Sequence, residues 1–311
     1  KTIAELRSAL NSAAGNGQDD TIILSDGTYN ISDDGGGTLE FVDNEAYKLT
    51  IKALNPHKAI LDGNLQSRVL SVESTDASSL ELDGLVIQHG NASAAGLYVN
   101  IKSSLVRNTW FIGNSGSAIG LTGDYGRGET LTVENSKFIR GSSQPAINSS
   151  ANGTSYYSPL YVYSSYFEGN TAGSIKADSR YSSAYIMNSI FINNGGQLQL
   201  GTGGNSSSQR VVSNSLFYSE EIRFSGPQKN EIYNSVFLNG STITGSGVFE
   251  IHNSYITNNE IKLTAFKKDL IYEGVELGFE NAAVYDFSLT GASHLINSGK
   301  NDVPHSLPAT D

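Results

Sequence analysis

The 311-residue chain contains no cysteine, so no disulfide staples it and no thiolate can hold a metal. Proline is scarce at 6 while glycine reaches 33, and serine and asparagine are abundant, which is the turn vocabulary of many short strands. No apolar run approaches the roughly 18 residues that a membrane span needs. Positive charge is in deficit: 20 Lys and Arg face 31 Asp and Glu, for a formal net charge of -11. That balance disfavours nucleic acid and anionic membranes as partners. It also repels polyanionic glycans unless a local basic patch or a bound cation reverses the field. The five histidines, His57, His89, His252, His294 and His305, stand far apart and form no His-Glu-x-x-His or other metal cluster, so a satisfied or solvated structural role is expected for each. The chain opens at Lys1 without a signal-peptide pattern, an opening that a processed secreted protein also shows.

Against these absences stands a repeat. Asn108-Thr109-Trp110-Phe111 returns as Asn135-Ser136-Lys137-Phe138, Asn188-Ser189-Ile190-Phe191, Asn214-Ser215-Leu216-Phe217 and Asn234-Ser235-Val236-Phe237. Weaker copies are Ser164-Ser165-Tyr166-Phe167 and Asn253-Ser254-Tyr255-Ile256, and Asp83-Gly84-Leu85-Val86 is a degenerate earlier one. The intervals run from roughly 19 to 29 residues, near the period range of solenoids. Alternating stretches such as Leu131-Thr132-Val133-Glu134 lead into each Asn and read as short strands. The Asn tolerates left-handed backbone and turns the chain. The expectation is that these amides stack as a ladder about 4.8 Å apart. The phenylalanines, one per rung, are expected to stack inside the coil.

The unequal rung length points to a parallel β-helix, in which insertions leave at turns without disturbing the coil. The expected excursions are residues 120–128, 141–159 and 201–209. Residues 2–10 read as the one clear helix, with a Thr2–Glu5 capping box and Ile3, Leu6 and Leu10 on one face. Such a helix suits a lid over an open solenoid end. The expected organisation is an N-terminal cap over residues 1–20, a β-helix over 21–285 and a closing segment over 286–311.

Several stretches resemble a known group. Ile23-Leu24-Ser25-Asp26-Gly27-Thr28-Tyr29, Ala59-Ile60-Leu61-Asp62-Gly63-Asn64 and Leu85-Val86-Ile87-Gln88-His89-Gly90-Asn91 resemble the opening of right-handed parallel β-helix proteins of the pectate-lyase-like superfamily. The Asn-Ser-x-Phe repeats resemble bacterial surface β-helix proteins of the adhesin type. Residues 286–299 look like the closing segment of secreted bacterial β-helix proteins. The resemblance implies an all-β, single right-handed parallel β-helix with a short N-terminal capping helix, at the cell surface or outside the cell. It spans nearly the whole chain and is specific for fold rather than function, since the superfamily holds lyases, hydrolases, epimerases and non-catalytic binders.

Phe167 to Gly203 loosely resembles a region of the superfamily's alginate and chondroitin lyases. There, an acidic segment supplies calcium ligands, a Lys follows, and an Arg stands one rung later. Here the matching stretch is Ala172-Gly173-Ser174-Ile175-Lys176-Ala177-Asp178-Ser179-Arg180, without the acidic pair, and Gly201 stands where that Arg is expected. Lys176 and Arg180 are therefore the catalytic candidates if the chain is a lyase. No metal ligands are assigned, although scattered Asp and backbone carbonyls leave calcium possible in a turn. As ligand-binding candidates the sequence offers Tyr125, Arg127, Tyr156, Tyr157, Asp178 and Tyr181. Aromatic faces stack on sugar rings, and Lys176, Asp178 and Arg180 alternate along one strand. A solvated, internally paired strand face is the plainer reading of those three charges. Tyr161, Tyr163 and Tyr166 swell the tyrosine group, although strands favour tyrosine in any case. The expected function is non-catalytic polysaccharide binding or adhesion. The alternatives are a polysaccharide lyase or glycoside hydrolase acting on an acidic glycan, and a self-associating structural surface protein.

Overall fold

In the computed structural model, the described residues are 2–43, 45–74, 78–121, 129–149, 158–178, 183–201, 208–256, 261–263, 267–269, 277, 279–281 and 286–289. The helix Ile3–Ala13 carries the expected capping box, Thr2 with Glu5, and buries Ile3, Leu6, Leu10 and Ala13. No helix among the described residues is long and apolar enough to cross a membrane.

Everything else is short strands in three long parallel sheets of 11, 9 and 10 strands, plus an antiparallel pair, Phe279–Asn281 with Asp286–Leu289. From Asp20 to Gly245 each turn of the coil contributes one strand to the first sheet, one to the second and one to the third, so sequence neighbours do not pair within these three sheets. The all-β parallel coil with a single capping helix agrees with the expectation. One excursion needs correcting. Residues 141–159 are not a single insertion, because Ile147–Ser149 is a strand of the third sheet, paired on both sides.

The first corner, between first and second sheets, is built by the repeat. Asn108, Asn135, Ser164, Asn188, Asn214, Asn234 and Asn253 all take φ between +47° and +51°. The residue after each turns inward and is buried: Thr109, Ser136, Ser165, Ser189, Ser215, Ser235 and Ser254. From Thr109 to Ser235, each backbone N–H donates to the hydroxyl of the next rung at 3.2–3.3 Å. The serine hydroxyls then donate to the carbonyl two residues back, for example Ser189 to Met187 at 2.9 Å. The continuous ladder is thus one of serine, not asparagine. Asparagine amides join rungs only in part, as from Asn253 to Asn234 and from Asn234 to Asn214, both at 3.0 Å. The physical reason is that a left-handed residue at a corner points its side chain outward, where water satisfies it, while its neighbour must be paired inside.

Two residues further on, the phenylalanines stack as expected. Ring centroids of Phe111, Phe138, Phe167, Phe191, Phe217 and Phe237 follow one another at 4.6–5.1 Å, nearly parallel. Parallel in-register pairing fixes this, since each Phe sits directly over the last.

The second corner, between second and third sheets, also needs one left-handed residue per rung. Here it is His89, Gly113, Arg140, Gly169, Asn193, Ser219 and Asn239, with φ from +49° to +65°. The next position inward holds a buried amide ladder that the sequence reading missed. Asn170 and Asn194 accept the N–H of the preceding rung at 2.9–3.0 Å, and Glu220 Oε1 accepts that of Asn194 at 2.8 Å. Asn114, Asn170 and Asn194 also donate Nδ2 to the carbonyls of Ile87, Phe138 and Phe167 at 3.0–3.2 Å.

Candidate functional site

The outer face of the third sheet gathers polar side chains by register alone. In the strands Ile175–Ala177, Gln197–Leu200, Glu221–Phe224 and Thr242–Gly245, apolar residues such as Ile175, Leu198, Ile222 and Ile243 point inward and are fully buried. The alternate positions point out, as the two-residue strand period requires. Lys176 pairs with Gln199, Gln199 with Arg223, Arg223 with Thr244, and Thr244 with Lys262. Three cations therefore stand in one file, separated each time by one neutral polar rung, or about 9.6 Å for two rungs. Arg223 and Lys262 are exposed, and neither makes an ion pair among the described residues.

A second file runs beside the first. Gln197 donates to Glu221 Oε1 at 2.8 Å and Thr244 donates to the same oxygen at 3.2 Å. It borders a cavity of about 540 Å³ lined in part by Asn194, Gln197, Glu220, Glu221, Asn239 and Thr242. Glu220 is 2% exposed, and burial raises its carboxyl to about 8 although Asn194 donates to it. Its Oε2 has no hydrogen-bond partner among the described residues.

On the other side lies the third corner, between third and first sheets. Lys176 Nζ sits 3.8 Å from Asp178 Oδ2, as the paired-strand-face reading expects. Arg210, the second residue of Gln209–Ser213, is 1% exposed. Its Nη1 donates to Gln228 at 2.8 Å and to Asn230 at 3.4 Å, while Nε and Nη2 have no partner among the described residues. Burial lowers its guanidinium to about 10 against the attraction of Asp178. Gly201 makes room for it: with φ +69°, a Cβ at residue 201 would overlap the guanidinium.

Of the residues singled out from sequence, Lys176 and Asp178 are thus neighbours on the third-sheet face. Tyr125, Arg127, Tyr156, Tyr157, Arg180 and Tyr181 lie outside the described residues. Three further tyrosines of that group are described. Tyr161 and Tyr163 lie on the outer face of the first sheet with Tyr185, Met187, Val211 and Tyr233 in a second apolar cluster. Tyr161 stacks on Tyr185 at 5.1 Å. Tyr163 and Tyr185 keep only 9% and 7% of their surface, so they are packed side chains rather than open sugar platforms. Burial, then the neighbouring Tyr161, Glu134 and Tyr185, raise the Tyr163 hydroxyl to about 12. Tyr166 is half-buried and donates to Glu168 at 3.0 Å.

The sequence reading missed Arg210, Glu220 and Arg223. The signal for Arg223 was present in the alternation of Gln-Leu-Gln-Leu and Glu-Ile-Arg-Phe, aligned from each rung's Phe. Arg210 gave none, because it occupies an inward strand position where an apolar residue is the rule. Among the described residues no three His, Asp or Glu side chains converge to hold a metal ion, so calcium has no carboxylate cage there.

No protein-family model matches the chain and no curated protein matches it. Solved structures do. A PL6 alginate lyase in complex with a trisaccharide aligns with TM-score 0.56 and 15% identity, over 82% of this chain and 56% of its own. The alginate lyase AlyF-OU02 aligns with TM-score 0.50 and 16% identity, over 90% of this chain and 63% of its own. The chain therefore spans less than two-thirds of the length of either, and at these identities the likeness is one of fold. The chain is a right-handed parallel β-helix of the pectate-lyase-like fold.

Proposed function

We propose that the outer face of the third sheet binds an acidic polysaccharide along the coil axis and cleaves it as a lyase. The observation that carries the reading is the file Lys176, Gln199, Arg223, Thr244, Lys262 on a chain of net charge -11. A regular cation spacing matches a polymer that repeats its carboxylates along its length. It is also the local basic patch that an acidic chain needs to accept a polyanion.

Cleavage by elimination removes the proton beside a uronate carboxylate, forms a carbon–carbon double bond and expels the glycosidic oxygen. The cations lower its barrier by holding the carboxylate as charge shifts onto it. In this reading Lys176, as the neutral amine, takes the proton and water protonates the departing glycosidic oxygen, while Asp178 stands beside Lys176 and Arg223, a cation, positions the neighbouring sugar. The lyase resemblance implies an arginine where Gly201 stands, and Arg210 brings a guanidinium next to Gly201 from the following strand. The fold neighbours described above are alginate lyases, which supports reading cleavage ahead of simple adhesion. A secreted location fits a polymeric substrate of this kind.

The test is incubation with polyuronates of different composition, following the ultraviolet absorbance of unsaturated ends. Activity is expected, with Lys176→Ala abolishing it while affinity electrophoresis still shows binding. Binding without product would favour the non-catalytic reading, which the glycine at position 201 supports. Neither binding nor product would overturn both.

A further inference from the structure

The second corner demands a left-handed backbone at every rung, and the chain meets that demand at three of them, His89, Arg140 and Ser219, with residues other than glycine and asparagine. Glycine and asparagine adopt φ near +50° with least strain. His89 at +51° and Arg140 at +57° stand where those residues would serve. Arg140 is exposed and forms no ion pair among the described residues. Strain kept without a structural return concentrates at sites of function.

His89 is also held in place. Its Nδ1 lies 3.2 Å from both oxygens of Asp62. Asp62 in turn accepts from Gln88 Nε2 at 2.6 Å and from the Asn64 N–H at 2.8 Å. Although burial pushes the other way, those hydrogen bonds and the one to His89 keep the Asp62 carboxyl below its ordinary range. The ring is thereby oriented with Nε2 unclaimed by Asp62, on a side chain 44% exposed. Both side chains run over bare backbone. A Cβ at Gly113 would stand 3.3 Å from His89 Cδ2, and one at Gly169 would stand 3.8 Å from Arg140 Cγ. Each side chain thus covers the glycine of the next rung, and the oriented imidazole and the exposed Arg140 stand two rungs or about 9.6 Å apart along the coil.

We propose that the outer second corner from His89 to Arg140 is a binding site for a uronic-acid oligosaccharide. Arg140 takes a sugar carboxylate in its planar fork, and His89 Nε2 hydrogen-bonds a sugar hydroxyl. The site uses none of the third-sheet cations, so it stands whether or not the chain is a lyase.

The experiment follows the His89 imidazole resonance by NMR, assigned with His89→Asn, during titration with a hexameric oligouronate and with a neutral oligoglucan of equal length. The oligouronate is expected to shift the resonance in the native protein and equally in Lys176→Ala/Arg223→Ala, where the third-sheet file is removed. The neutral oligomer is expected to leave it unmoved. Arg140→Gly is expected to weaken this binding by at least about tenfold, the usual effect of losing a charge-assisted pair. Its melting temperature should be unchanged or higher, because the strained residue is replaced by one at ease with that backbone. An unmoved His89 resonance, equal response to the neutral oligomer, undiminished affinity in Arg140→Gly, or a lower melting temperature for that variant would each overturn the proposal.

Discussion

The first and second corners make the same demand on the backbone and answer it differently. At the first, asparagine fills six of the seven rungs from Asn108 to Asn253, and the inward neighbours form an unbroken ladder of hydroxyls. At the second, the seven left-handed positions carry five residue types, and the inward ladder passes from asparagine to a carboxyl at Glu220. Backbone geometry alone selects asparagine or glycine. The first corner departs from that choice only at Ser164, and the second departs at His89, Arg140 and Ser219 while the φ stays the same.

The sharpest way to test the scaffold is to remove a ring from the stack. Phe191 lies between Phe167 and Phe217 at 4.7 and 4.9 Å, and Phe191→Ala is expected to cost about 3–5 kcal/mol in urea denaturation. Ser189→Ala strips the acceptor from the buried Ser165 N–H and should cost about 1–3 kcal/mol by the same measurement.

At the second corner the expected effect depends on pH. Three asparagines of that ladder donate to a carbonyl one rung back, whereas Glu220, next in the ladder, has no such donor as a carboxylate, and its Oε2 has no partner among the described residues. A protonated carboxyl supplies the donor this position calls for. Its folded value of about 8 lies above the ordinary carboxyl value of 4.5, so the contribution is complete below about 4.5 and is lost as pH rises through about 8. Denaturation midpoints measured across that interval should fall with rising pH, and Glu220→Gln should flatten the slope.

The smallest effect belongs to the left-handed positions. Asn135→Ala is expected to cost about 1 kcal/mol, and Asn135→Gly only a few tenths. If Asn135→Gly lost as much as Asn135→Ala, the contrast between the two corners would rest on contacts rather than on backbone conformation.

The third corner adds a different lesson. Arg210 is sealed beside Gly201 with Nε and Nη2 unpartnered among the described residues, at a position where strand alternation asks for an apolar side chain. Arg210→Met is expected not to lower stability, because an incompletely paired buried charge repays little of its desolvation.

Much of the coil was legible beforehand, and for a definite reason. The repeat carries both the turn residue and the core residue, so Asn135 and Phe138, like Asn214 and Phe217, announce their corner and their stack. The serine between them was read only as spacing, because nothing in Asn-Ser-x-Phe says which of two adjacent polar residues faces inward. The files across the third sheet were less legible still. Lys176 to Arg223 are 47 positions apart (223 minus 176), and rungs of unequal length hide their alignment.

By itself, then, the sequence determined that this chain coils, where its first corner lies and which rings fill its interior. Those features repeat within every rung and depend on local backbone preference and side-chain period. Only the tertiary structure decided which charges meet. Lys176 with Arg223, His89 with Asp62, and Arg210 with Gly201 are brought together by pairing between rungs, and that register is set by the lengths of connections whose own residues carry no sign of it.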